Sequence, residues 1–453
     1  MKRVLVLGAG LVSKPGVHYL LQQPDFYVTV ASRTQSKAEK LVNHHPRAKA
    51  TGLNVSDTAG LKKLIADSDL VISLVPYAYH PLIAQHCIEQ KKPMITTSYV
   101  SDAMRQLDDR AKQAGILILN EIGLDPGIDH MSAMKIIDNV KKQGGLVTSF
   151  YSYCGGLPAP EANTNPFGYK FSWSPKGVLL AGKNSARYLL DGKEVFVPGP
   201  DLFTHYWVLN IEGLGKFEAY PNRDSLPYIE IYQLTGIKTM CRGTLRNLGW
   251  CETLKKIVDL GLLDDKIMDN LKDKTYKEWL TASIRLRADS SSSKDLISQV
   301  ADFLAISKDS MIIKRLEWLG LFSDEPIGLE QGANIDILVK RMQEKMSYQA
   351  GERDMIVLKH EFVAEFPKEE RKEKIESTLI DFGIPNGDSA MSRTVSLPAA
   401  IAAKLILNNK ITLTGVQIPV IPEIYEPVLA ELEKLNIVCK ETITPLSTVD
   451  RQP

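Results

Sequence analysis

Metal-ligand spacing is missing from this chain. Its five cysteines, Cys87, Cys154, Cys241, Cys251 and Cys439, form no C-x-x-C pair and no Cys/His set at zinc spacing. Their odd number and wide scatter exclude a disulfide-stapled scaffold and imply a reducing compartment, hence a cytoplasmic protein without a metal. An excess of either charge is missing too. With 55 Lys+Arg against 54 Asp+Glu the net charge is +1, which excludes nucleic acid and an anionic membrane surface as expected partners. No uninterrupted apolar run approaches the roughly eighteen residues of a membrane span, and a core strand starts at Lys2, so neither a span nor a signal peptide is expected. What remains is an ordinary globular composition, 44% hydrophobic and 24% charged over 453 residues, with room for roughly two or three cores. The partner this implies is a small molecule.

A third glycine is also missing. Val4 to Leu7 form a wholly apolar run, and Gly8 and Gly10 follow at once, but the last position of the G-x-G-x-x-G pattern is Ser13, followed by Lys14-Pro15-Gly16. A buried strand, a glycine turn and a helix start still converge backbone N–H groups and the positive end of a helix dipole on one point, which suits a pyrophosphate. The next apolar run, Tyr27 to Ala31, ends in Ser32-Arg33-Thr34 and not in an acidic residue. A hydroxyl and a cation leave room and charge for a 2′-phosphate, so the expected cofactor is NADP.

The rhythm of strand and helix then continues. Ser36 is a plausible N-cap for a helix containing Ala38, Leu41 and Val42; Ala48 to Val55 reads as a strand; Ser56 and Asp57 can cap the helix of Leu61, Leu64 and Ile65. Leu70 to Val75 runs into Pro76-Tyr77, Met94 to Thr97 into Ser98-Tyr99, and Ile116 to Leu119 into Asn120–Gly127. This predicts a doubly wound parallel sheet with Pro76, Tyr77, Ser98, Tyr99 and Asp125 lining one crevice at the carboxyl ends of its strands. From Ser149 a strand enters a proline-stiffened loop, with further polar clusters at Tyr220–Ser225 and Arg242–Arg246. Between Cys251 and Tyr348 the pattern is helical: Leu254, Ile257 and Val258 share a face that Gly261 can end, Leu296, Val300, Phe303 and Leu304 share another, and the serine run Ser290–Ser293 is expected to cap that second helix. Asp354–Phe366 and Ile375–Phe382 read as a hairpin across a charged tip, Lys368–Lys374, and Ala390–Leu407 as an apolar helix that packs back on the N-terminal sheet. The fold class is thus α/β, an N-terminal Rossmann-type parallel sheet plus a mixed α+β domain carrying a helical insert. The expected domains are 1–125 with 390–453 for the nucleotide, 126–250 with 349–389 for substrate and dimerisation, and 251–348 as an all-helical insert.

Several stretches resemble one family. Gly123-Leu124-Asp125-Pro126-Gly127-Ile128-Asp129-His130, Ser152 to Glu161, Gly168 to Ser174, Tyr220 to Ser225, Arg242 to Arg246 and Glu352-Arg353-Asp354-Met355 are similar to the NADP-dependent, L-glutamate-forming saccharopine dehydrogenases, over nearly the whole chain. The resemblance implies hydride transfer at a secondary amine, between saccharopine and an imine of aminoadipate semialdehyde and glutamate, in lysine metabolism. The reductase half of the bifunctional animal enzymes has no counterpart, so a single step is expected. By motif, NADP would meet Gly8, Gly10, Leu11, Val12, Ser13, Ser32, Arg33, Thr34, Asn54, Val55, Val75, Thr97, Ser98, Leu124, Asp125, Pro126 and Ser174. Asn54 stands where the family often has Asp. The substrate would meet Ser98, Tyr99, Asp125, Arg223, Thr244, Leu245 and Arg246; the two arginines, expected in loops, suit its carboxylates. A homodimer follows by analogy of fold.

Hydride chemistry needs no protein nucleophile, but the imine needs proton transfers. Asp125 is the first candidate, with helix N-cap as its plainer role. Tyr99 follows, or is a hydrogen-bonding wall, and then Cys154, or a small buried filler. His130 reads as a packed structural histidine and His80 as a turn cap. The rivals are an imine reductase of polyamine metabolism, which would want acids where Arg223 and Arg246 stand, and a non-catalytic NADP-binding regulator.

Overall fold

Four consecutive apolar residues, Val4 to Leu7, are all at most 2% exposed, which only an interior strand covered on both faces allows. They make up most of β1 (Lys2–Leu7). In the computed structural model, which describes residues 1–285 and 295–446, the chain continues through α1 (Lys14–Gln22), β2 (Phe26–Ser32), α2 (Gln35–Val42), β3 (Ala48–Gly52), α3 (Thr58–Ala66), β4 (Leu70–Ser73), α4 (His80–Glu89), β5 (Met94–Thr96), α5 (Asp102–Arg105), α6 (Asp108–Ala114), β6 (Leu117–Leu119), α7 (Ile128–Lys142) and β7 (Leu146–Pro158). These belong, as far as Cys154, to the first of two units; Glu230–Thr235 and everything from Met355 complete it.

The second unit, Gly155–Ile229 with Gly236–Asp354, contains α8 (Pro175–Ala181), β8 (Ala186–Leu190), β9 (Lys193–Val197), β10 (Trp207–Ile211), β11 (Gly215–Pro221), most of α9 (Pro227–Ile231), β12 (Thr239–Asn247), α10 (Trp250–Asp259), β13 (Ile267–Asp269), α11 (Tyr276–Arg285), α12 (Leu296–Phe303), α13 (Met311–Leu319), β14 (Gln331–Ala333) and α14 (Asn334–Lys345). The antiparallel run β10-β11-β12 is its framework, with the β8-β9 hairpin joined to β12 through Met240 and Leu189. The insert expected to be all helical also holds a two-stranded ribbon, β13 with β14. Helix α10 stops at Asp259, and Gly261 turns the chain at φ +71, as expected. The serine run 290–293 lies outside the described residues, and Asp295 is the residue that caps α12, accepting from Ser298 N–H at 3.0 Å.

The chain returns to the first unit with β15 (Asp354–Phe366), β16 (Arg371–Phe382), α15 (Ala390–Leu407), β17 (Gly415–Gln417), α16 (Pro422–Lys434) and β18 (Lys440–Leu446). Its parallel sheet has seven strands in the order β17-β6-β5-β4-β1-β2-β3, so the expected α/β architecture is found. Strand order reverses between β1 and β4. A second sheet of this unit runs β7-β15-β16-β18, its core built on the stacked rings of Phe150 and Phe362, 4.3 Å apart.

Local boundaries differ from expectation for identifiable reasons. The hairpin tip is only residues 367–370, because Arg371 to Lys374 already pair with β15 and exchange ion pairs along the half-exposed face, Lys372 with Glu365 at 2.9 Å among them. β3 ends at Gly52, leaving Leu53 to Val55 as the loop beyond it. Thr34, and not Ser36, occupies the N-cap position of α2; Asp57 caps α3 as expected, accepting from Gly60 N–H at 3.1 Å.

Helix α15 keeps its expected limits and packs along α1. By length and composition it could cross a membrane, but 67% of it is buried inside the protein. Gly16 is what lets the helices approach: a Cβ there would lie 3.0 Å from Ser396 Cβ, and Gly16 N–H donates to Ser396 Oγ at 2.9 Å. Gly16→Val is therefore expected to lower stability by roughly 1–3 kcal/mol through overpacking. Urea denaturation reads this out, and an unchanged midpoint would mean the two helices separate without cost.

Candidate active site

The switch point of the parallel sheet puts the β1–α1 turn beside the end of β4. Gly8, at φ +114, has no room for a side chain, since a Cβ would lie 2.9 Å from Leu74 O. Gly10 is the opposite case. The place its Cβ would take is open, with nothing within 4 Å, and Leu11 beside it is 68% exposed. Ser13, 1% exposed, holds the turn by accepting Gly10 N–H on its Oγ at 3.1 Å. An open cradle at the start of the nine-residue α1 fits a pyrophosphate.

The surroundings fit NADP as well. Arg33 and Thr34 are exposed just past β2, and Ser32 Oγ accepts Thr34 N–H at 3.3 Å. Asn54 spends its Oδ1 on Ser56 N–H at 3.2 Å, so what it offers an adenine is its amide N–H pair. Val55 and Val75 are half-buried past β3 and β4, as are Thr97 and Ser98 past β5.

Tyr99 and Asp125 are brought together: the phenol donates to Asp125 Oδ1 at 2.8 Å. Asp125 is not the N-cap of α7. That position is Gly127, at φ +147, where a Cβ would fall 2.1 Å from Gly123 O, and Asp129 Oδ1 accepts Gly127 N–H at 2.6 Å. The loop closes on itself through Gly123 N–H to Pro126 O at 2.9 Å, with Leu124, Asp125 and Pro126 in the turn so formed. Glu121, 4% exposed, braces the neighbouring segment: its N–H donates to Ser98 O at 3.1 Å and its Oε1 accepts Val100 N–H at 2.9 Å. His130 is fully buried, as expected of a structural histidine, with its ring nitrogens on Glu121 Oε2, at 2.8 Å, and on the Tyr232 hydroxyl. Cys154 is a buried thiol of β7.

His80 caps a turn, as expected, its backbone N–H reaching back to Tyr77 O, but it does more. It starts α4, and its ring, 3% exposed, turns inward against the ends of β4 and β5. Nδ1 lies 3.0 Å from Ser73 Oγ, and Nε2 lies 2.9 Å from Ser98 Oγ and 3.0 Å from Thr96 Oγ1. Ser73 and Thr96 are direct partners in the parallel register. A strand-end serine and threonine are unremarkable in sequence, so only the adjacency of β4 and β5 makes this cluster visible.

In the second unit Arg246 lies within β12 and not in a loop, directly opposite Glu218 of β11. It is 5% exposed, layered on the rings of Tyr169, 4.9 Å away, and Trp250, 5.4 Å away, and donates to Leu245 O at 2.7 Å. Glu218 accepts the N–H groups of Gly249 and Cys251 at 2.6 and 2.8 Å. Burial, with Glu218 adding to it, pushes the Cys251 thiol up. Tyr220, opposite Thr244 and hydrogen-bonded to it, is pushed up to about 12 by burial, against the pull of the Arg246 charge. Arg223 is exposed in the turn after β11, at φ +57, its carbonyl accepting Arg187 N–H at 2.9 Å. Ser174 caps α8, accepting Gly177 N–H at 3.2 Å.

Strand order, glycine turn and exposed cation define a dinucleotide-binding α/β protein. Comparison narrows the class. Profiles of the saccharopine dehydrogenase NADP binding domain and C-terminal domain match residues 4–119 and 123–437. Saccharopine dehydrogenases [NADP(+), L-glutamate-forming] of Pyricularia oryzae and Saccharomyces cerevisiae are 43% and 44% identical, over 98% and 97% of this chain and 99% of each relative. The solved apo saccharopine dehydrogenase (L-Glu forming) of Saccharomyces cerevisiae superposes with a TM-score of 0.88 at 43% identity, over 98% of this chain and all of that one. The chain belongs to the saccharopine dehydrogenase family and carries its NADP-binding domain.

Burial pushes the His80 imidazole down from its usual 6.5 to about 4. Between those values the unfolded chain takes up a proton that the folded one refuses, so stability falls as the pH drops through that window. The difference is worth about 3 kcal/mol. Wild type is expected to lose about that much more stability than His80→Gln between pH 7 and 4 by urea denaturation; parallel losses would show that the folded protein protonates this ring normally.

Proposed function

We propose that this chain interconverts saccharopine with L-2-aminoadipate 6-semialdehyde and L-glutamate, using NADP(H). Full-length similarity to enzymes named for that activity carries the reading, and the Tyr99–Asp125 pair supplies the acid/base chemistry it needs. When bound, the nicotinamide accepts or gives the hydride. The phenol passes its proton to Asp125 Oδ1 as its oxygen takes one from the substrate's secondary ammonium, so that hydride loss from the adjacent carbon yields the protonated imine. In the hydrolysis that follows, water adds to the imine carbon, and the pair gives that proton to the glutamate nitrogen and takes one from the added hydroxyl as the C–N bond breaks and the carbonyl forms. Cys154 is kept as a further proton-handling candidate. Arg223 and Arg246 hold substrate carboxylates, with Thr244 and Leu245 beside Arg246 in β12. These cations argue against a polyamine substrate, the reading that would follow from the 29% identity to carboxynorspermidine synthase of Vibrio cholerae over 48% of this chain.

We further propose residues 1–125 with 390–453 as the NADP-binding domain, residues 126–250 with 349–389 as the part that takes substrate and pairs with a second copy, and the cytoplasm as the working compartment. That no disulfide joins any of the five cysteines supports that last assignment.

The decisive assay follows nicotinamide reduction with saccharopine as sole substrate, NADP against NAD. Turnover with an NADP preference is expected; folded protein that binds NADPH and reduces neither cofactor would leave a binding protein. Arg33→Ala should weaken NADPH binding by about tenfold and leave NADH nearly unchanged, whereas equal losses would remove Arg33 from the 2′-phosphate. Arg223→Ala is expected to raise the KM for saccharopine by about tenfold or more, since it removes a cation that pairs with a carboxylate; an unchanged KM would take Arg223 out of the site.

A further inference from the structure

We infer that His80 is a positioning residue, which fixes the Ser98 hydroxyl as a hydrogen-bond donor toward a carboxylate of the bound amino-acid substrate. This rests on the saccharopine reading and on Ser98 facing that substrate, and goes beyond both by giving the hydroxyl a direction and a cause.

The direction follows from the hydrogen-bond inventory of the cluster. Nε2 has two hydroxyl oxygens within reach, Ser98 Oγ at 2.9 Å and Thr96 Oγ1 at 3.0 Å. A ring nitrogen without a proton carries one lone pair and cannot accept well from both, whereas an N–H can be shared between two oxygens. Thr96 Oγ1 already acts as an acceptor, for Ser98 N–H at 3.3 Å. The arrangement therefore satisfies itself with the proton on Nε2 and with Nδ1 accepting from Ser73 Oγ, 3.0 Å away. Ser73 is completely buried, so its O–H has every reason to point at that nitrogen.

With Nε2–H directed at its oxygen, Ser98 keeps its own proton to give away. Ser98 is half-buried, and its backbone is held from the other side by Glu121 N–H on Ser98 O at 3.1 Å. The hydroxyl is thus fixed in place and polarity, a donor adjacent in sequence to Tyr99, whose own proton goes to Asp125. A carboxylate is the substrate group that needs a donor; a substrate ammonium would need an acceptor. Burial supports the same picture, since a ring that stays uncharged keeps the Nδ1 lone pair on which the order of the relay depends.

The test is a double-mutant cycle in the full chain, with His80→Gln, Ser98→Ala and the double variant, reading kcat, the KM for saccharopine and the Kd for NADPH. Expected are a rise of about fivefold or more in KM for each single variant, an NADPH Kd for His80→Gln within about twofold of wild type, and a double variant no worse than Ser98→Ala alone. A ring that only fills space gives multiplying losses, and that overturns the proposal. So does a loss that appears in the NADPH Kd with KM unchanged, because the hydroxyl would then serve the cofactor. Should His80→Gln fail to fold, Ser73→Ala probes the same relay: a smaller rise in KM that vanishes in the Ser98→Ala background supports it, and one that persists there overturns it. Failure of the underlying reading looks different, a wild-type protein that binds NADPH and turns over no saccharopine.

Discussion

Every strand of the seven-stranded sheet runs the same way, and the rest of the first unit is arranged around that parallelism. A parallel strand cannot turn straight back, so each must be followed by a crossover, and all the carboxyl ends open on one edge. Gly8, Leu74, Thr97, Ser98 and Glu121 each follow a strand at that edge. There the ladder runs out: the N–H groups of Gly8 and Leu74 still reach Ala31 O and Leu7 O, while those of Ser98 and Glu121 turn to Thr96 Oγ1 and Ser98 O. Residues that would handle cofactor and substrate are therefore those whose positions depend most on their neighbours.

That dependence explains why so much buried polarity collects there. His80 ties the ends of β4 and β5 to Ser98, while Glu121 ties Val100 to His130 and so to Tyr232. Burying such groups singly would cost several kcal/mol each; linked, they cost far less and admit few alternative arrangements. The Tyr99–Asp125 pair thus sits on a segment pinned on either side, at Ser98 and at Val100. The pair we propose for proton transfer, held this way, need not be ordered by the substrate.

The sequence made the parallel sheet's alternation legible because most of its strands are short, largely apolar and separated by amphipathic helices; β1 and α15 were readable almost to the residue. The exposed place of Arg33 was legible for the same reason, as it follows a recognisable strand. His80 was not, since the proline after it suggests a turn, and nothing local shows that β4 and β5 lie side by side. Arg246 misled in the opposite way. A charged residue among Gly243, Thr244 and Asn247 reads as a loop, yet it lies in β12 because Tyr169 and Trp250 cover its guanidinium, and Tyr169 comes from a distant part of the chain. The plainer role considered for Asp125 failed on the backbone: Gly127 takes the N-cap position and Asp129 turns back to its N–H, which leaves Asp125 to Tyr99.

The missing third glycine shows how far the cofactor turn depends on distant sequence. In the full pattern that glycine allows close packing of the first helix. Here the two duties are divided: Ser13 supplies a hydroxyl that holds Gly10 N–H, and Gly16, one turn later, makes the close approach. Its partner is Ser396, 380 residues further on, whose Oγ accepts the Gly16 N–H while donating to Ser392 O at 2.8 Å. Lys14 and Asp388 add an ion pair at 2.9 Å near the same helix start. The tilt of α1, and with it the direction in which the open side of Gly10 faces, is thus set by α15. A segment holding only the first six strands would keep the glycines and lose the surface that orients them. The nucleotide cradle is a property of the whole first unit, assembled from both ends of the chain.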